Sequence, residues 1–162
     1  MYQRILVPVD GSTTSRRALD EALRFGRQED ARLELVHVVG DVRLMEANSY
    51  INYAEIKETM KHSGRKILAE AQAVAQQAGM TVEAQMLEAN GERVANVLVE
   101  EAKRWPADLI VIGTHGRSGF SRVLFGSVAE GVVRTAHIPV LLIRGEKGES
   151  GNAYRSTAAH KF

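Results

Sequence analysis

The stretch Gly113-Thr-His-Gly116-Arg-Ser-Gly119-Phe-Ser-Arg-Val-Leu-Phe-Gly126-Ser127 has the residue types to hold an anion. It follows the most apolar run of the chain and leads into a helix-like segment. Glycines let a backbone approach a ligand closely, and free amides at a helix start suit phosphate oxygens. Ser127 adds a hydroxyl for a phosphate or a magnesium ion, and Arg117 and Arg122 could supply charge. A loop that only turns would also use these residues. Gly126 is expected to need a φ that a side chain disfavours. Three named motifs are missing. There is no Gly-Lys-Ser/Thr for a Walker A loop, and the spacing is G-x-x-G rather than G-x-G-x-x-G. A G-x-S-x-G nucleophile elbow fails because Phe120 stands where its second glycine belongs.

Asp10 is the second candidate. It ends the apolar run Ile5-Leu6-Val7-Pro8-Val9, where a ligand could meet it. Asp-Gly-Ser is also a turn leading into a helix cap. His37 lies inside an apolar run and reads as a packed, hydrogen-bonded histidine rather than a ligand. His115 sits in the glycine loop, to touch phosphate or only to tolerate the turn. His62, His137 and His160 show no paired spacing and no Cys or carboxylate cluster, so zinc is not expected.

Five apolar runs alternate with helical patterns and must carry these residues. The runs are 5–9, 33–39, 80–87, 109–113 and 140–143. The third alternates polar and apolar residues, which predicts a half-exposed strand near a sheet edge. Ser12 stands where an N-cap belongs, and Gly26 reads as the stop of the first helix. A second helical pattern runs from about Glu55 to a stop at Gly79, and Asn90-Gly91 reads as a turn. A third helix follows from Val94 and gives out before Trp105-Pro106, and a short one passes through Val128, Val132 and Val133. Residues 41–54 show no clear period and read as a long connection. Strand, helix, strand, helix predicts a single α/β domain with a mainly parallel sheet. Ligands of such sheets bind at the carboxyl ends of strands. Residues 1–145 are expected to form the domain and 146–162 a flexible tail, because the tail is polar and aperiodic.

Composition narrows the function classes. The chain has 162 residues, 44% hydrophobic and 25% charged, and no cysteine. That excludes global disorder, a disulfide scaffold, thiolate metal sites and a cysteine nucleophile. With 21 Lys and Arg against 20 Asp and Glu, bulk charge gives no reason to expect nucleic-acid or membrane binding. No run approaches the ~20 apolar residues of a membrane helix, and the expected location is the cytoplasm.

The ordered set of motifs resembles the universal stress protein family, in its ATP-binding subgroup. The resemblance rests on Gly113-x2-Gly116-x9-Gly126-Ser127, the opening Ile-Leu-Val-Pro-Val-Asp-Gly-Ser, and Leu-Val-His-Val at the end of the second run. It also includes the Gly91-Glu92 turn and the closing Ile-Pro-Val-Leu-Leu-Ile. It spans about Met1 to Arg144. It implies a five-stranded parallel sheet of order 3-2-1-4-5 with helices on both faces, an adenine nucleotide alpha hydrolase-like fold. It further implies a nucleotide (ATP, ADP or AMP, with or without Mg2+) lying across the first and fourth strands. Pro8, Val9 and Asp10 would then line the adenosine, Asp10 accepting from the ribose hydroxyls, and Val38 would meet adenine through its backbone. Gly113 would approach the ribose, Gly116, Arg117, Gly126, Ser127 and Val128 the phosphates, and Thr114 would belong to the same nucleotide site. Where a hydroxyl residue often follows two positions after the motif serine, this chain has Ala129.

Three functions fit these residues. One is a nucleotide-binding regulatory stress protein, homodimeric through residues 139–143, because an apolar edge strand invites pairing. A second is a slow ATP hydrolase, for which Glu130 and His115 are the nearby candidate bases. The third is an interaction module with a vestigial site.

Overall fold

The computed structural model describes residues 2–41, 52–115 and 126–145. In chain order these form β1 (Arg4–Pro8), α1 (Thr13–Glu29), β2 (Arg32–Val39), α2 (Tyr53–Gln77) and β3 (Thr81–Glu88). There follow α3 (Val94–Arg104), β4 (Leu109–Gly113), α4 (Ser127–Thr135) and β5 (Val140–Ile143). All strand pairs are parallel, in the order β3-β2-β1-β4-β5. The single α/β domain expected from the alternating elements, and the strand order that the family resemblance implies, are therefore observed. The tail beyond residue 145, and most of the 41–54 connection, lie outside the described residues.

The central strands are buried on both faces, which is why they read as unbroken apolar runs. Ile5, Val7, Leu33, Leu35, Leu109 and Val111 face one cluster, shared with α1 and α2. Leu6, Val36, Ile110 and Ile112 face the other, shared with α3 and α4. The edge strand β3 alternates exposed and half-buried residues, as its sequence predicts. The opposite edge, β5, is half-buried throughout.

Helix ends follow local chemistry. Ser12 caps α1, its Oγ accepting from Ser15 N at 3.2 Å. At the end of α2, Gly79 has φ of 76°. Its N–H donates to Gln76 O and that of Met80 to Ala75 O, a Schellman closure. The expected stop of α1 at Gly26 is wrong. The helix runs on to Glu29 and ends where Asp30 takes the left-handed conformation, φ 53°. Gly26 instead makes room for packing, since a Cβ there would lie 2.6 Å from Met80 Cε.

One polar cluster interrupts the α3 face at the starting end of the sheet. Glu34 of β2 is 2% exposed, with one carboxyl oxygen lacking a partner among the described residues. Burial and the adjoining carboxyl of Glu101 push its pKa up to about 8. Glu101, also buried, is held low by hydrogen bonds from Arg104, whose Nε lies 2.8 Å from Glu101 Oε2. Arg104 also reaches Glu34 Oε1 at 3.5 Å.

Candidate functional site

The carboxyl ends of β1 and β4 part to make a cavity. Val9 N donates to Val36 O at 2.9 Å, and the chain then leaves the sheet through Gly11, whose φ of 80° suits glycine. Asp10 Oδ1 accepts from Ser12 N at 2.9 Å. Ser15 Oγ donates to Ser12 O at 3.1 Å and lies 3.4 Å from Asp10 N. The turn role of Asp10 is thus realised, and the residue also lines the cavity.

From the other side, Thr114 N donates to Ile143 O at 2.9 Å, which extends the β4–β5 ladder past Gly113. Thr114 is fully buried, and its Oγ1 meets His115 Nδ1 at 2.9 Å. The Thr14 hydroxyl donates to His115 O, fastening the first turn of α1 to this segment. Gly126 N donates to Thr114 O, so α4 starts beside the end of β4. Gly126 is the N-cap of α4 and offers no side-chain cap. Among the described residues no side chain caps the first-turn amides of α4, which are of the kind that suits an anionic acceptor from outside the helix. The φ of Gly126 is −66°, which any residue adopts, so the expected backbone need for glycine there is not found.

Pro8, Val9, Asp10, Val38, Gly113, Thr114, Gly126, Ser127 and Val128, all singled out from the sequence, line this one cavity. Gly116 and Arg117 lie outside the described residues. Ser12, Ser15, Val94, Leu98, Ile112 and His115 complete the lining, with Ala129 where a hydroxyl is often found. Val94 and Leu98 could not be assigned to the site by pattern. Their i, i+4 spacing marks the inner face of α3, and only the crossover puts that face beside the end of β1. Glu130, a candidate base, is 56% exposed and lies 3.7 Å from Arg134. His37 is packed and hydrogen-bonded as expected, 8% exposed with Nδ1 2.8 Å from Val9 O. Among the described residues no helix is long and apolar enough to cross a membrane.

A five-stranded parallel sheet opening a crevice between its first and fourth strands defines a doubly wound α/β protein, and comparison with known proteins narrows the class. The Universal stress protein family matches residues 1–144, so the chain belongs to that family. Universal stress protein MJ0531 of Methanocaldococcus jannaschii is 35% identical over 149 residues, 92% of this chain and 86% of that protein. A universal stress protein family structure from Burkholderia pseudomallei matches with a TM-score of 0.73 at 34% identity, covering 88% of this chain and 96% of that one. A universal stress protein solved in complex with cAMP matches with a TM-score of 0.64 at 29% identity, covering 88% of this chain and 97% of that one.

Proposed function

We propose that this protein binds an adenine nucleotide across the ends of β1 and β4, and that it acts as a nucleotide-responsive regulator in the stress response. The observation that carries this reading is the meeting in one cavity of Asp10, Val38 and the start of α4, which has no side-chain cap. A main-chain N–H beside a C=O complements adenine, which pairs an amine donor with a ring-nitrogen acceptor. A carboxylate can accept from both ribose hydroxyls, and open helix amides suit phosphate. Gly116 and Arg117 would join the phosphate site, as the family resemblance implies. The related protein in complex with cAMP supports the ligand class.

ATP is one candidate ligand, with AMP and ADP. In the first turn of α4, Ser127 offers one hydroxyl for a metal and Ala129 adds none. Any Mg2+ would therefore be held mainly by phosphate and water. Calorimetry of the full chain with AMP, ADP and ATP, with and without Mg2+, tests the reading. We expect micromolar affinity, on the order of −8 kcal/mol, with little preference for the triphosphate. Asp10→Asn keeps the oxygen that caps Ser12 N and removes the charge, so it should weaken binding about tenfold at unchanged stability. No heat with any of the three nucleotides would overturn the proposal.

The protein would work as a homodimer through β5. The rungs Ile110 N to Pro139 O (3.0 Å) and Thr114 N to Ile143 O (2.9 Å) fix the parity of the edge. Residues 139, 141 and 143 bond β4, while Val140 and Leu142 turn their N–H and C=O outward. Two copies about a two-fold axis could pair these groups antiparallel.

A further inference from the structure

We propose that His37 is a positioning residue of the nucleotide site: its ring takes the Val9 carbonyl and thereby leaves the Val38 main chain free to meet the base. This rests on the nucleotide reading above, but it makes a structural claim that can be checked without ligand.

The argument starts from the β1–β2 ladder. Arg32 N donates to Gln3 O at 2.8 Å, and Val9 N donates to Val36 O at 2.9 Å. Even-numbered residues of β2 therefore bond β1, and the next rung would run from Val38 N to Val9 O. No such rung follows among the described residues. The Val9 carbonyl instead accepts from His37 Nδ1 at 2.8 Å. A carbonyl only accepts, so Nδ1 carries the proton. His37 points to the α2 face of the sheet, like Leu33 and Leu35, because side chains of a strand alternate. Its bond engages the Val9 carbonyl from that face, in place of the rung from Val38. Val38 points the opposite way and lines the cavity.

The ring is held in place from above. A Cβ on Gly64 of α2 would lie 2.6 Å from His37 Cδ2 and 2.9 Å from Nε2. Glycine inside a long helix costs stability relative to alanine. Here it gives the imidazole its seat. Met86 of β3 closes the same pocket, its Sδ 3.3 Å from that Cβ position. A buried imidazole with one polar bond and a fitted seat holds a single orientation.

The test compares two substitutions of similar shape. In His37→Asn the amide nitrogen, like Nδ1, stands one bond beyond Cγ and can donate to Val9 O. His37→Leu fills the space without a donor. Leucine in this apolar setting should fold at least as stably, which thermal unfolding checks. The first readout is amide hydrogen exchange of the full chain without ligand. Val38 should exchange faster than Val36 in the wild type and in His37→Asn, and become protected in His37→Leu as the ladder zips. The second readout is titration with AMP and with the hypoxanthine analogue IMP, whose base edge reverses the donor and acceptor. The wild type and His37→Asn should prefer AMP, while His37→Leu should lose roughly tenfold in AMP affinity and with it the preference. Protection of Val38 in the wild type, or equal losses in both variants, would overturn the proposal. If the wild type binds no nucleotide, the site reading fails, and the exchange pattern alone still decides whether His37 holds the ladder open.

Discussion

Gly113 and Thr14 stand so close that a Cβ on Gly113 would lie 2.8 Å from the Thr14 carbonyl carbon. The first turn of α1 is thus seated directly on the end of β4. Gly113 has a packing reason that is independent of any ligand. Gly113→Ala must push α1 or β4 aside, and backbone atoms give way less easily than the end of a side chain. We expect a loss of about 1–3 kcal/mol in urea unfolding, typical of overpacking. The Thr14 bond to His115 should loosen with it, weakening nucleotide binding in the same variant.

The start of α4 allows stability and binding to be driven in opposite directions. Gly126 sits at the N-cap with extended backbone, so a side chain fits the conformation. Gly126→Asp supplies the missing cap and should raise stability by a few tenths of a kcal/mol. The same carboxylate would stand where we assign phosphate and should abolish nucleotide binding by repulsion. Paired thermal unfolding and calorimetry check both signs. Retained binding would remove α4 from the phosphate site.

Glu34 makes stability depend on pH with a definite sign. Its folded pKa, about 8, stands above the ordinary 4.5. Between those values the folded protein keeps a proton that the unfolded chain has released. Stability therefore falls as pH rises through this window and levels off above it. Glu101 acts oppositely, since its lowered pKa gives stability that is lost on acidification. Arg104 and Glu83 are the other charges acting on Glu34. Glu34→Gln removes the ionisation while keeping a group that can donate to Glu101. The variant should gain on the wild type from pH 5 to 8, reaching about 1–3 kcal/mol. Urea titrations across that range measure the gain.

The assembly proposal turns on the outward N–H of Leu142. Proline is tolerated where an edge strand's N–H faces away from its sheet. Leu142→Pro should leave the β4–β5 rungs in place and block pairing with a second copy. Sedimentation at tens of micromolar should then give a monomer where the wild type gives a dimer. A monomeric wild type would end the proposal.

The sheet was legible because Ile5–Val7 and Leu109–Ile112 are buried on both faces and carry little else. The site was legible where it coincides with strand ends and glycine spacing, as at Asp10, Gly113 and Gly126. Gly26 misled because one signal serves two purposes. A glycine that ends a helix and a glycine that admits Met80 look alike in one dimension. Ser15, Val94 and Leu98 escaped because their place depends on how crossovers fold back. Nothing in the sequence singled out Glu34, because its neighbour Glu101 lies on a helix far along the chain. The raised pKa of Glu34 comes first from burial and then from Glu101, and both exist only once the chain has folded.

The bond from Gly126 N to Thr114 O also bears on how this family could vary. It fixes the distance between the last residues of β4 and the first of α4, whatever the intervening segment contains. Lengthening a closed segment is a slow logarithmic cost, about 0.6 kcal/mol per doubling. Insertions between residues 115 and 126 should therefore be absorbed without shifting the sheet register or the start of α4. Because Gly116 and Arg117, assigned above to phosphate, belong to that segment, such insertions should cost nucleotide binding rather than folding, which separates the frame from the site it carries.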